Sequence, residues 1–150
     1  VRRFRQVSEQ LGMTEDVART VIMASLIEKE VSQNDERPLV AGVFTNRLAK
    51  GMPLATDPSV IYAAILDGRW RGTIYASDLQ ADSPYNTYKH TGLPPGPICN
   101  PGMASLRAAI APAQTDFLYF VSDAAGHSRF STNLKDHSTQ VQAYRQTQKR

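Results

Sequence analysis

The sequence predicts an α+β domain, mainly helical, with one small antiparallel β-hairpin. Three observations lead there. Apolar residues recur at spacings of three and four in five separate segments, most of them bounded by a cap, proline or glycine signal. One short aromatic and β-branched run, FLYFV at residues 117–121, is followed by a turn and a partly alternating stretch. Between the third and fourth helical segments lies a stretch so rich in proline and glycine that neither regular structure suits it.

The first helix is expected to start at Thr14-Glu15-Asp16, a capping residue with acids in the first turn, and to run to about Val31. Its apolar residues, among them Val17, Val21, Ile22, Met23, Leu26 and Ile27, spread around the whole circumference. That distribution marks it as the most interior helix. Asn34-Asp35 opens a second helix, with Val40, Val43, Phe44 and Leu48 on one apolar face and Gly51 as its stop. Thr56-Asp57-Pro58 repeats the start signal for a third, which Asp67-Gly68 ends. Residues 83–102, SPYNTYKHTGLPPGPICNPG, hold five prolines and three glycines, so no regular element is expected. Tyr85, Tyr88, Leu93 and Ile98 give this segment packing groups, and its prolines lower the entropy lost on fixing it. It reads as a well-fixed wall of a cleft rather than a linker. Asn100-Pro101 starts a fourth helix with Leu106, Ala109 and Ile110 inward and Pro112 as its halt. The hairpin pairs residues 117–121 with 127–131 around a turn at 123–126. From Leu134 onward, Val141 and Tyr144 stand at helical spacing on a polar background, which gives a peripheral helix.

The chain has 150 residues, 41% hydrophobic and 21% charged, a length and composition for one domain, 1–150, with its own core. It begins without an initiator methionine and is read as a portion of a longer protein. Cys99 is the only cysteine, so no internal disulfide can form. Seventeen Lys and Arg against fourteen Asp and Glu leave a formal charge of +3, and the excess is dispersed or terminal. No run is long enough for a membrane span. His90, His127 and His137 are too widely spaced for a zinc motif, and no phosphate loop or nucleophile elbow occurs. No metal or other cofactor is therefore expected. RNA- and DNA-binding patterns are missing too, so nucleic acid is not an expected partner. The aromatics and amides of residues 85–90 suit sugars, whose apolar faces stack on rings and whose substituents bond to groups such as Asn86.

The chemistry centres on ASLIEKEV, residues 24–31, where Glu28 and Glu30 close an otherwise apolar helix. A buried carboxyl group either finds partners or has its pKa raised. A raised pKa makes it a proton donor near neutral pH, as cleavage of a glycosidic bond requires of its general acid. The pattern does not tell which of the two faces a cleft. The ordinary alternative is that they are solvated at a fraying helix end, or that Glu28 pairs internally with an arginine.

The strings ASLIEKEV, AGVFTNRLAKGMPLATDPSVIY, SPYNTYKHTGLPPGPICNPGMASLRAAIAPA, FLYFVSD and GHSRFSTNLKDH together resemble the catalytic domain of the endolytic murein transglycosylase family, MltG or YceG-like proteins. They cover about Met23 to His137. The resemblance implies a lysozyme-like fold and cleavage within peptidoglycan glycan strands, between N-acetylmuramic acid and N-acetylglucosamine. It also implies a place at the extracytoplasmic face of the bacterial inner membrane, periplasmic in a Gram-negative cell. The membrane would be reached only through a segment absent from this chain, and the cell-wall synthesis machinery is the implied protein partner.

The family's catalytic acid falls on Glu30, with Glu28 as the reserve candidate. The implied reaction needs one residue, acid first and base second, and leaves a 1,6-anhydromuramyl end. Asp57 is expected to cap the third helix or to position other groups. Asn86, Thr87 and Tyr88 are the expected substrate-holding wall, with Asn133 and His137 contributing from the hairpin exit, and a purely structural hydrogen-bonding role is the alternative for each of these five. The alternatives are a lysozyme-type hydrolase, which would use Asp57 across the scissile bond, and a non-catalytic glycan-binding or scaffolding module.

Overall fold

The computed structural model describes residues 17–123 and 126–148. Helix α1 (Val17–Glu30) leads through a 3-10 turn (Asn34–Glu36) into α2 (Arg37–Ala49) and α3 (Asp57–Leu66). A short α4 (Ala76–Gln80), α5 (Met103–Ile110), strands β1 (Tyr119–Ser122) and β2 (Ser128–Ser131), and α6 (Leu134–Gln148) complete the chain. The class is the expected one, helical with a single antiparallel hairpin. The Thr14 cap lies outside the described residues. No helix among the described residues is long and apolar enough to cross a membrane.

Helix α1 is the interior element. Six successive residues from Ile22 to Ile27 are buried, which no one-faced helix permits, and α5, α2 and α3 each pack on a different side of it. Leu26 and Ile27 join Val40, Ala41 and Phe44 of α2, with Leu54 and Ala108, in the main core. Helix α2 is buried on more than the one face its spacing suggests, because Ala41 and Gly42 are covered as well. The covering strand of chain carries Ala113, whose N–H donates to Pro38 O at 3.0 Å. A Cβ on Gly42 would stand 2.6 Å from Ala113 O, so only glycine admits that approach.

The proline-rich segment has no regular element across residues 83–102 and is nonetheless fixed from within. The Asn86 amide donates to Leu79 O (3.0 Å) and Ala81 O (2.8 Å), and its oxygen accepts from Tyr88 N–H (3.0 Å). Thr87 Oγ1 accepts from Thr56 N–H at 2.8 Å and bonds Ser59 Oγ at 2.8 Å. Ser25, buried in α1, accepts from Ile98 N–H at 3.1 Å while donating to Ile22 O. Backbone amides without a helix or strand to serve them are thus met by side chains, as burial demands.

Two features differ from expectation. Helix α4 was not foreseen; it is one turn held by Asp78, whose carboxylate accepts Tyr75 N–H at 2.9 Å and pairs with Arg69 at 2.8 Å. Helix α5 begins at Met103 rather than at Asn100-Pro101, because Gly102 stays extended and gives its N–H to Glu28 at 2.6 Å. Its buried residues are Ser105, Leu106 and Ala108, while Ala109 and Ile110 are only half-buried. Helix α6 is peripheral as expected, with no buried residue between Leu134 and Arg145, and its inner face packs on both strands. The hairpin pairs Phe120 with Phe130 in register, and Phe120 meets Phe44 edge-on at 6.1 Å, tying the sheet to the helical core.

Candidate active site

Residues two apart on a helix point about 200° away from each other. Glu28 and Glu30 therefore leave α1 on opposite sides. Glu28 turns toward α5, where it accepts from Gly102 N–H (2.6 Å), Ser105 Oγ (3.2 Å) and Arg37 Nη1 (3.3 Å). Burial alone would raise its pKa, but these bonds and the Arg37 charge outweigh it and hold the carboxyl below the usual range. It is an ion-paired strut, the arrangement named above as the ordinary alternative.

Glu30 turns to the other side and lines a cleft of about 520 Å³. Its Oε2 is buried and has no hydrogen-bond partner among the described residues. Burial, with the negative charge of Asp57 nearby, pushes its pKa up from 4.5 to about 7. The carboxyl group thus keeps its proton close to neutrality.

Asp57 lies in the same cleft. It does not cap α3: Thr56 holds the cap position, without a side-chain bond, and Asp57 is the first helical residue. Its carboxylate instead accepts from Tyr88 Oη at 2.6 Å. Burial, this bond, and the charges of Asp57 and Glu30 push the Tyr88 phenol well above its ordinary range, against the opposing pull of Arg47. Tyr88 is therefore a fixed, protonated donor beside the acid.

The other expected residues divide. His137 lines the cleft, its ring stacked on Tyr119 at 5.0 Å, and burial and then the Arg47 charge lower its pKa. Asn86 and Thr87 do not face the cleft as substrate holders; both are buried, and their polar atoms are spent on the backbone and on Ser59. They support Tyr88 from behind. Asn133 caps α6, its oxygen accepting from Asp136 N–H at 2.9 Å and its amide donating to Asp136 at 3.1 Å.

Sequence reasoning missed another part of the lining. It is built by Arg47, by Tyr119 and Phe120 of β1, and by Val141 and Arg145 of α6. Arg47 stands three and four residues after Phe44 and Val43, a cation on the apolar face of α2, and that misplaced charge was the available signal.

A carboxyl group that keeps its proton close to neutrality in a cleft, beside a carboxylate–phenol pair, is an arrangement able to give and take a proton on a mainly helical scaffold. The chain belongs to the YceG-like, or endolytic murein transglycosylase, family, whose model matches residues 1–143. It is 48% identical over 128 residues to an endolytic murein transglycosylase of Bacillus subtilis (strain 168), covering 85% of this chain and 35% of that one. An endolytic murein transglycosylase of Streptococcus pneumoniae serotype 2 (strain D39 / NCTC 7466) is 38% identical over 131 residues, with 83% and 23% covered. In three dimensions the chain is similar to a yceG-like protein from Listeria monocytogenes, with 43% identity, a TM-score of 0.78, and 92% and 44% of the two chains covered. The chain spans about a third or less of the length of these two curated relatives.

Proposed function

We propose that this chain is the catalytic domain of a peptidoglycan lytic transglycosylase, with Glu30 as its single acid and base, on a lysozyme-related scaffold. The observation that carries the reading is Glu30 in the cleft, its Oε2 buried and without a hydrogen-bond partner among the described residues and its pKa near neutrality. The substrate is a glycan strand, cut internally between N-acetylmuramic acid and N-acetylglucosamine. The work is done outside the cytoplasmic membrane, where such strands lie and where the wall-synthesis machinery operates.

Protonated Glu30 donates to the glycosidic oxygen as the bond from C1 breaks. The acetamido oxygen of the muramyl residue supports the positive charge left at C1. The Glu30 carboxylate then removes the proton from the C6 hydroxyl while O6 bonds to C1. The product is a 1,6-anhydromuramyl end, and Glu30 is reprotonated for the next cycle. Tyr88, whose proton is held by Asp57, turns its phenol oxygen as an acceptor toward substrate hydroxyls beside the reacting centre. With Asp57 so engaged, the acid works without a second carboxylate as nucleophile or base.

Digestion of purified glycan strands tests this. The expected product is lighter by one water than a hydrolytic product and has no reducing muramyl end. Glu30→Gln is expected to lower the rate by about 100-fold or more while the circular dichroism spectrum stays that of the folded chain. Reducing ends alone would make the domain a hydrolase, and binding without cleavage would make it a glycan-binding module.

A further inference from the structure

The cleft is electrically mixed. Its lining carries the acids Glu30 and Asp57 together with the basic side chains Arg47, His137 and Arg145. The Arg47 guanidinium is half-buried and fixed, with Nε donating to Leu118 O and Nη1 to Pro53 O, both at 2.7 Å, and its carbon 4.9 Å from the centre of the Tyr119 ring. Both of those acceptors are neutral. Among the described residues neither Arg47 nor Arg145 is ion-paired with a carboxylate, whereas Arg37, Arg69 and Arg129 all are. Burial lowers the Arg47 pKa, and among the described residues the phenols Tyr119 and Tyr88 oppose this. A half-buried guanidinium with its orientation fixed and no counter-charge is a receptor for a planar anion.

We infer that Arg47 and Arg145, with the His137 ring between hairpin and cleft, form a carboxylate subsite that grips a free carboxylate of the bound strand. The inference rests on the peptidoglycan reading given above. Two parts of such a strand carry that chemistry: the lactyl ether of muramic acid once its peptide has been removed, and the peptide stem while it remains. Arg145 is exposed and adds to the site by closing its rim.

The test measures binding, so that it does not depend on turnover. Soluble strands with stems intact, strands denuded by an amidase, and both sets with carboxylates capped as glycinamides are titrated against Glu30→Gln protein. Capping is expected to weaken binding roughly tenfold in whichever set carries the recognised carboxylate. Adding Arg145→Gln, an exposed position that does not hold the fold, should shrink that discrimination to about twofold or less. A loss on capping confined to the stem-bearing set identifies the peptide, and one confined to the denuded set identifies the lactyl group. Equal binding of capped and uncapped strands, or full discrimination retained with Arg145→Gln, overturns the subsite and leaves the peptidoglycan reading standing. Failure to bind any strand overturns both.

Discussion

Replacing Glu30 with glutamine removes a carboxyl group whose proton is held by burial, and the cost of that burial can be read from folding. In the folded chain the carboxyl titrates at about 7 against an ordinary 4.5. The folded state therefore binds more protons than the unfolded state between those values, and its stability falls as pH rises through that window. The stabilising preference is fully present below about pH 4.5 and is lost above about pH 7. At about 1.4 kcal/mol per pH unit, the gap corresponds to about 3 kcal/mol. Glutamine has the same shape and no charge to bury. The Glu30→Gln chain should thus differ little from its parent at about pH 4 and be more stable by up to about 3 kcal/mol at about pH 8. Urea unfolding of both chains at the two pH values measures this, and titrating groups that do not interact with Glu30 cancel in the difference. A parent-to-variant difference that stays constant within about 1 kcal/mol between the two pH values would refute the claim that this carboxyl is kept from water.

Asp57→Asn removes the second cause of the raised Glu30 pKa and leaves the first, burial. The alkaline limb of the pH–rate profile for strand cleavage should move to lower pH without reaching that of a free carboxyl; an unmoved limb would mean the two acids do not interact. Glu28→Ala strands Arg37 and frees Gly102 and Ser105, so it should cost about 1–3 kcal/mol in denaturant unfolding. Its effect should be alike at acid and alkaline pH within the range where Glu28 is charged, unlike that of the Glu30 change. Gly42→Ala forces a Cβ to within 2.6 Å of Ala113 O, and a loss of about 1–3 kcal/mol is expected in the same assay. Wild-type stability in Gly42→Ala would mean that the chain beyond α5 is not packed on α2 as described.

Much of the fold was legible because its signals are local. Thr56 before Asp57-Pro58 and the Gly51 stop sit next to the helices they bound, and the circumferential apolar pattern of α1 matches its burial. The choice between Glu28 and Glu30 was not legible from α1 itself. Helical geometry places them on opposite sides, but which side is packed depends on Gly102 and Ser105, 74 and 77 residues away from Glu28. For Asn86 and Thr87 the choice between holding substrate and supporting the fold was open for a related reason. Polar side chains in a proline-rich segment suit substrate binding, and they equally suit the backbone groups that such a segment leaves without partners. The cationic wall was missed because a polar helix with few apolar residues reads as surface, and only docking on the hairpin turns α6 into the side of a cleft.

Glu36 carries a consequence for how the domain is made. From the turn between α1 and α2 its carboxylate receives Ser128 N–H at 2.6 Å, a partner 92 residues later, while Asn46 and Arg47 reach forward to the carbonyls of Thr115, Phe117 and Leu118. All these ties belong to the last third of the chain, and such distant closures form late. A chain extended only to the end of α5 would hold Glu30, Asp57 and Tyr88 but not the part of the cleft lining that residues 118–145 supply.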